Sequence, residues 1–387
     1  MTEPDTQADS TRATPPRPLR ILHVVTSLEI GGLENGIVNV ARRLDPQEFE
    51  IHCLCVDRRG GFADRLPNQD NLIVLNKPPG ISLKAIWQTG SALRRIRPDV
   101  VHTHNLGPLL YGALGGWLAG RPPLLHGEHS MIVEEERTET LVGLRHWLWR
   151  RADRVHTVSE MLKRHFIEWG FPGEGVEVII NGVDTERFSA VAKAHARQQA
   201  AVPQDAQVLG IVGSFNVRKR HPLLIESFNL FAAKHPRAHL LIVGGEGPEK
   251  ENVTRLAKAS PFADRIVLAG HQPEPRPFYQ AMDLLAVPSN NEGLSNAMLE
   301  AMACETPVLA NTTCGSADVI AAGEDGLVAD LDVPEGFAEM LEHAFASPTN
   351  LAELGRRARA KVEKQFALQS MASAYAALYR AMAARKR

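Results

Sequence analysis

Cysteine is scarce, with four in 387 residues. That is too few for a disulfide framework in a chain of this length, and a reducing compartment is the simpler reading. Cys53 and Cys55 alternate with apolar residues in EIHCLCV, which puts both thiols on one face of a strand, and Cys304 and Cys314 flank another strand. All four read as buried core thiols. An excess of one charge is also missing: 43 Lys plus Arg stand against 45 Asp plus Glu, a net charge of −2. A dedicated nucleic-acid binder needs a basic face to displace counterions, so the balance argues against that class and leaves room only for a local basic patch. Long apolar runs are absent as well. The uncharged stretch Leu106 to Gly120 (LGPLLYGALGGWLAG) falls short of the ~20 residues a spanning helix needs. Residues 1–17, MTEPDTQADSTRATPPR, have no apolar core for a signal peptide and read as a disordered tail. A cytoplasmic protein is expected.

What the chain does have is a recurring alternation. RILHVVTSL, FEIHCLCV, NLIVLN, DVVHTHN, PLLHGEH, RVHTVS and VEVIING form one set of apolar runs; VLGIVGSF, HLLIVGGEG, RIVLAGH, LLAVPS, PVLANT and GLVADL form a second. Segments of helical length and period separate them. Continuous hydrophobicity marks strands covered on both faces, as in parallel sheets flanked by helices. The fold class is therefore α/β, with two doubly wound, Rossmann-like domains. The turn signal Asn181-Gly182 and the polar, Ala-rich stretch Ala190 to Ala206 set the boundary, giving domains over residues 18–189 and 190–368. The chain looks helical from Asn350 to Arg387, and residues 369–387 are placed to cross back onto the first domain.

In such sheets ligands bind beyond the carboxyl ends of the strands. The first strand ends at Gly31-Gly32, which lets the backbone turn sharply or approach a ligand. The richest segment runs from Pro288 to Ala303 (PSNNEGLSNAMLEAMA): a strand end, a loop with Glu292 and Gly293, a cap at Ser295 or Asn296, and a helix carrying Glu300. Free amides at that helix start, with the positive end of its dipole, suit a diphosphate. Glu292 and Glu300 stand on either side of the cap, so they reach different parts of one ligand. A second segment, Val212 to His221 (VGSFNVRKRH), is a strand followed by a basic loop.

EGLSNAMLEAMACETPVLA resembles the Glu-x7-Glu element of the family 4 glycosyltransferases, and GGLENGIVNVA, DVVHTHN, LLHGEHS, RVHTVSE and VIINGVDTERF follow in that family's order. The likeness runs from Arg20 to about Phe366 and is nearest to exopolysaccharide-associated sugar transferases. It implies the GT-B architecture, in which two Rossmann-like halves face each other across a cleft that holds a UDP- or GDP-sugar. It also implies roles. Glu292 would contact the transferred sugar's hydroxyls, the amides of Gly293, Leu294, Ser295 and Asn296 would hold the phosphates, and Glu300 would bind the ribose. Lys219 matches the family's diphosphate-binding Lys. Ser214 stands where the family usually has Arg, so Arg218 or Arg220 would supply the missing cation. Gly31 and Gly32 would lie under the donor phosphates, and the base would meet Gly270 and His271. His129 would stand near the reacting carbon, with His104 second and Ser159 on the acceptor side.

HxH and HxxH spacings at His102, His104, His126 and His129 raise a zinc site, but the pairs stand on separate strands and no HExxH helix accompanies them, so no metal is expected. Strand alternation points Glu128 away from His129. No segment nominates a carboxylate nucleophile under the anomeric carbon. The resemblance then implies retention by attack from the leaving group's side, without a cofactor. The expected acceptor is a glycan or polyprenyl-linked sugar. Arg145 to Arg154 (RHWLWRRADR) is either a peripheral contact with the inner membrane face or an ordinary helix with two packed Trp. A nucleotide-sugar epimerase would need acid–base groups on both faces of the sugar and no acceptor; a non-catalytic nucleotide-sugar binder draws on the Ser214 departure alone.

Overall fold

A computed structural model describes residues 17–132 and 136–384. Of the expected tail only Arg17 falls within them, and its guanidinium holds Asp99 at 2.7 and 2.9 Å. All thirteen apolar runs form strands. β1 (Leu19–Val25), β2 (Phe49–Cys55), β3 (Leu72–Val74), β4 (Val100–His104), β5 (Leu124–Glu128), β6 (Arg154–Thr157) and β7 (Val176–Val178) make the first sheet. β8 (Gln207–Val212), β9 (Ala238–Val243), β10 (Ile266–Gly270), β11 (Leu284–Val287), β12 (Val308–Asn311) and β13 (Leu327–Ala329) make the second. Every pairing within the two sheets is parallel, in the orders β3-β2-β1-β4-β5-β6-β7 and β10-β9-β8-β11-β12-β13.

Both faces of each sheet are covered, which is why the strands read as unbroken Val, Ile and Leu. Leu22, Val24, Leu54 and Val101 face one layer of the first domain, packed with Leu93 and Leu109 of two helices; Ile21, Val100 and Leu125 face the other. That second layer includes the end of the chain. The helical segment expected over 350–387 is two helices, Pro348–Gln365 and Leu368–Ala384, and the latter lays Met371, Tyr375 and Tyr379 on the first sheet. The chain thus crosses between domains twice, and the two crossings are bonded together: Val183 donates its amide to Phe366 at 2.9 Å and Leu368 donates to Val183 at 2.8 Å. A Cβ at Gly182 would stand 2.7 Å from the Leu368 Cα, so only glycine lets the crossings touch.

The Ala-rich stretch after the first crossing is more ordered than its polarity suggests. Lys193–Gln199 is helical, and Ala196, Ala200, Val202 and Ala206 pack into the second domain. Its small side chains are what allow the close approach.

Candidate active site

Strand order reverses between β1 and β4 in the first sheet and between β8 and β11 in the second. At such a point the connections leave in opposite directions and open a crevice at the carboxyl ends. The two crevices face one another across a single cavity of about 850 Å³. Gly31 and Gly32 after β1, Asn105 after β4, Gly213 to Lys219 after β8 and Glu292 after β11 all come from these reversal points.

Lys219 and Glu292 meet in that cavity. The Lys219 Nζ lies 2.6 and 2.9 Å from the two Glu292 carboxylate oxygens. Burial pushes the Glu292 carboxyl up, but Lys219, Arg218 and a hydrogen bond from Ser289 outweigh it, so the group titrates below its ordinary value. Of the two cations proposed to replace the family's Arg, Arg218 lines the cavity, and its Nε is buried without a partner among the described residues. Arg220 does not reach it. Its backbone is left-handed, φ +56°, and its guanidinium pairs with Asp332 on the far side of the loop. Ser214 lines the cavity as an exposed hydroxyl, and His271 lines it from the loop after Gly270.

The helix Asn296–Ala303 points its start into the cavity, which Leu294, Ser295, Asn296 and Ala297 line. Two of the expected amide donors are placed otherwise. Ser295 spends its N–H on the Ser316 hydroxyl at 3.1 Å, and Gly293 is buried with its Cα against the His129 carbonyl, where a Cβ would stand 2.8 Å away. Asn296 instead bridges the domains. Its Nδ2 donates to the Gly32 carbonyl at 2.9 Å and its Oδ1 accepts from Asn181 Nδ2 at 2.8 Å. One turn along, Glu300 accepts from the Tyr279 hydroxyl at 2.7 Å. Burial raises the Glu300 carboxyl to about 7, against the opposing pull of Tyr279 and Arg187.

On the first domain His129 lines the cavity beside Ser130, which forms an antiparallel bridge with Glu292. His104 lies behind it, buried, with its Nδ1 3.0 Å from His129 Nε2. Ser159 is also buried. It caps the helix Glu160–Glu168 by accepting from the Leu162 amide at 3.1 Å, and it does not line the cavity. Glu128 points to the opposite sheet face as alternation required, where His126 and Arg145 surround it.

A sequence profile for "Glycosyltransferase Family 4" matches residues 30–187, and one for "Glycosyl transferases group 1" matches 192–361. D-inositol 3-phosphate glycosyltransferase 2 of Catenulispora acidiphila is 30% identical over 381 residues, 87% of each chain. The chain belongs to glycosyltransferase family 4. The lipopolysaccharide core biosynthesis glycosyltransferase LpsE of Rhizobium meliloti is 32% identical over 200 residues, 52% of this chain and 56% of LpsE. Among solved structures, Anabaena Alr3699/HepE in complex with UDP-glucose superposes with a TM-score of 0.83 at 20% identity, covering 94% of this chain and all of that one. The shared fold is GT-B.

Several cleft residues of this glycosyltransferase escaped the sequence reading. Asn105 sits at φ +62° and accepts the His129 amide on its Oδ1 at 2.9 Å, fixing the loop that carries His129. Glu34, Arg42, Arg65, Asn181, Arg187 and Tyr279 also line the cavity. The one available signal was His23: an imidazole amid the apolar run of β1 needs a partner, and it finds His104 at 3.0 Å. The Arg145 to Arg154 segment of the enzyme divides. Arg145 and Trp149 are buried, while Trp147, Arg150 and Arg151 face outward. Among the described residues no helix is long and apolar enough to cross a membrane.

Proposed function

We propose that this glycosyltransferase moves a sugar from a nucleoside-diphosphate sugar, with retention of configuration, to a glycan or polyprenyl-linked acceptor in cell-surface polysaccharide assembly. The observation that carries the reading is the Lys219–Glu292 pair, with Arg218 beside it, in the crevice of the second sheet. A diphosphate entering there meets two cations and the helix start at Asn296, while Glu292, released from Lys219, can accept hydroxyls of the sugar. Lys219 and Arg218 stabilise charge as it develops on the departing phosphate, so the step needs no divalent ion. Glu300 grips the ribose, and His271 stands near the base.

Retention follows without a covalent intermediate. Each cavity carboxylate has another part in this reading: Glu292 takes hydroxyls of the sugar, Glu300 takes the ribose, and burial raises the Glu34 carboxyl, which disfavours the ionised form a nucleophile needs. The acceptor hydroxyl attacks from the side of the leaving group, and its proton passes to the phosphate oxygen. His129 orients the sugar from the first domain. The polysaccharide setting is supported by the likeness to LpsE, a lipopolysaccharide core biosynthesis glycosyltransferase, and the nucleotide-sugar donor by the likeness to HepE, which binds UDP-glucose.

Membrane contact is better placed away from Arg145. Leu83 and Trp87, one turn apart, are 80% and 61% exposed, and Trp117, 63% exposed, lies on the helix packed beside them. Lys84, next to Leu83 in the chain, is exposed as well, and exposed apolar side chains beside a cation suit an anionic bilayer surface.

The test is nucleotide release from UDP-, GDP- and ADP-sugars with polyprenyl-linked glycans, in EDTA, comparing the wild type with Glu292→Ala and Lys219→Ala. Release with one donor, lost in both variants and accompanied by an α-product from an α-donor, is the expected result. Isomerised donor without transfer identifies an epimerase, and tight binding without release a sensor.

A further inference from the structure

Five histidines converge on one face of the first sheet, the face covered by the C-terminal helix. His23 on β1 stands in register with His102 on β4, and His104 on β4 and His156 on β6 flank Gly127 on β5. The glycine is required. A Cβ there would fall 2.4 Å from His156 Nε2 and 2.9 Å from His129 Nε2. With the Tyr379 hydroxyl these rings form one continuous file. His156 Nε2 lies 2.9 Å from His102 Nε2, and His102 Nδ1 lies 2.9 Å from the Tyr379 oxygen. Tyr379 lies 3.4 Å from His23 Nε2, His23 Nδ1 3.0 Å from His104 Nε2, and His104 Nδ1 3.0 Å from His129 Nε2.

The proton count constrains the file. A neutral imidazole carries one N–H and one bare nitrogen, and a phenol donates once. Six neutral groups therefore bring one proton each to the links between them, and a single proton is left over at one end. Either His156 Nδ1 carries it and His129 Nδ1 is bare, or the reverse. No mixed pattern satisfies every link. His23, His102, His104 and His156 are all buried, and burial holds each of them neutral. His156 Nδ1 is buried, and the backbone of Thr157 is the polar group that acts on this ring, so the protein interior sets its state rather than solvent or substrate.

We propose that this file transmits the state of His156 to His129 and fixes the tautomer His129 presents to the cleft, which makes Tyr379, His23 and His104 positioning residues for sugar transfer. The role in transfer rests on the function proposed above; the tautomer itself does not. The C-terminal helix then does more than cover the first domain. By carrying Tyr379 back across the domain boundary it supplies the one non-imidazole link.

The experiment is long-range proton–nitrogen NMR of full-length protein labelled in histidine with nitrogen-15, on the wild type, Tyr379→Phe and Tyr375→Phe. Tyr375 sits on the same helix against Tyr379 and belongs to no link of the file. In the wild type and Tyr375→Phe, His129 shows one neutral tautomer. In Tyr379→Phe the three-ring remnant is cut off from His156, and His129 shows both. With the preferred donor, Tyr379→Phe lowers kcat roughly tenfold with KM within about twofold, whereas Tyr375→Phe keeps both. A mixed or charged His129 in the wild type, or an unchanged tautomer in Tyr379→Phe, overturns the proposal. So does a stoichiometric transition metal in the purified protein, because His23, His102 and His104 each offer a nitrogen within 4.8 Å of the others and a bound ion would take the lone pairs the file uses. If the tautomers behave as stated and no donor turns over, the file stands and the proposed function fails.

Discussion

Lys219 reaches from the loop after β8 to chelate both carboxylate oxygens of Glu292 from the loop after β11, at 2.6 and 2.9 Å. The pair keeps a buried carboxylate charged in the cleft before any substrate arrives, and it holds a cation where a diphosphate would sit. Lys219→Ala is expected to lower kcat/KM by about 10² to 10³, the loss typical of removing one preorganised donor to developing charge. It also removes the main force holding Glu292 below its ordinary pKa, leaving burial less opposed. An activity that needs ionised Glu292 is lost as pH falls through that pKa, so in Lys219→Ala the acid limb of the pH profile moves to higher pH. A limb that stays put would show that Lys219 does not set the charge of Glu292.

Glu300 gives the opposite sign. Its carboxyl is raised to about 7 by burial, so in the folded protein it gives up its proton far later than an unfolded glutamate. The folded state binds more protons between pH ~4.5 and ~7, and stability falls as pH rises through that window, by at most about 3 kcal/mol. Glu300→Gln is expected to flatten this part of the profile of Tm against pH. Since the carboxylate is the form that accepts a pair of hydroxyls, donor affinity in the wild type should rise across pH 7. Titration calorimetry at pH 6 and pH 8 reads that directly; equal affinities would remove Glu300 from the ribose site.

Asn296 joins three segments through one amide, accepting from Asn181 and donating to Gly32. Asn296→Ala and Asn181→Ala should each cost about 1 to 2 kcal/mol in urea denaturation. The double variant should cost less than their sum, with a coupling of at least about 0.5 kcal/mol, because each removes the same bond. Strict additivity would show that the bond contributes nothing to holding the domains together. Gly32→Ala brings a Cβ within 2.9 Å of Asn296 Nδ2 and should mimic the loss without removing any polar group.

The strands were legible because parallel sheets write themselves as unbroken apolar runs, and the loops at Glu292 and Lys219 were legible because a ligand crevice must lie at strand carboxyl ends. What the basic loop Arg218-Lys219-Arg220 could not reveal is which guanidinium faces inward. That is decided by the left-handed backbone at Arg220, which turns it toward Asp332. Ser295 was legible as a helix start but not as an amide already taken, since its partner Ser316 lies on a separate turn brought in by tertiary packing. His104 shows the same limit. Alternation puts it on the face of His102, yet only the return of the C-terminal helix, with Tyr375 and Tyr379, turns that face into an interior.

The basic stretch beginning at Arg145 carries the last prediction, because composition left it between a membrane contact and an ordinary packed helix, and the fold divides it. Arg145 is 2% exposed and its Nε lies 3.1 Å from an oxygen of Glu128, itself fully buried, while its Nη1 donates to Glu136 at 2.9 Å. Removing one member of a buried ion pair strands the other charge in a medium that cannot solvate it. Arg145→Met should therefore cost about 3 to 5 kcal/mol in urea denaturation, whereas Arg150→Glu with Arg151→Glu should change stability by no more than about 0.5 kcal/mol. Glu128→Gln in the Arg145→Met background should recover part of the loss, since the amide removes the stranded charge while keeping its volume. In vesicle sedimentation with anionic lipid, Leu83→Ser with Trp87→Ser should weaken binding and Arg150→Glu with Arg151→Glu should not; the opposite outcome would assign the proposed membrane contact to the exposed arginines of the basic stretch.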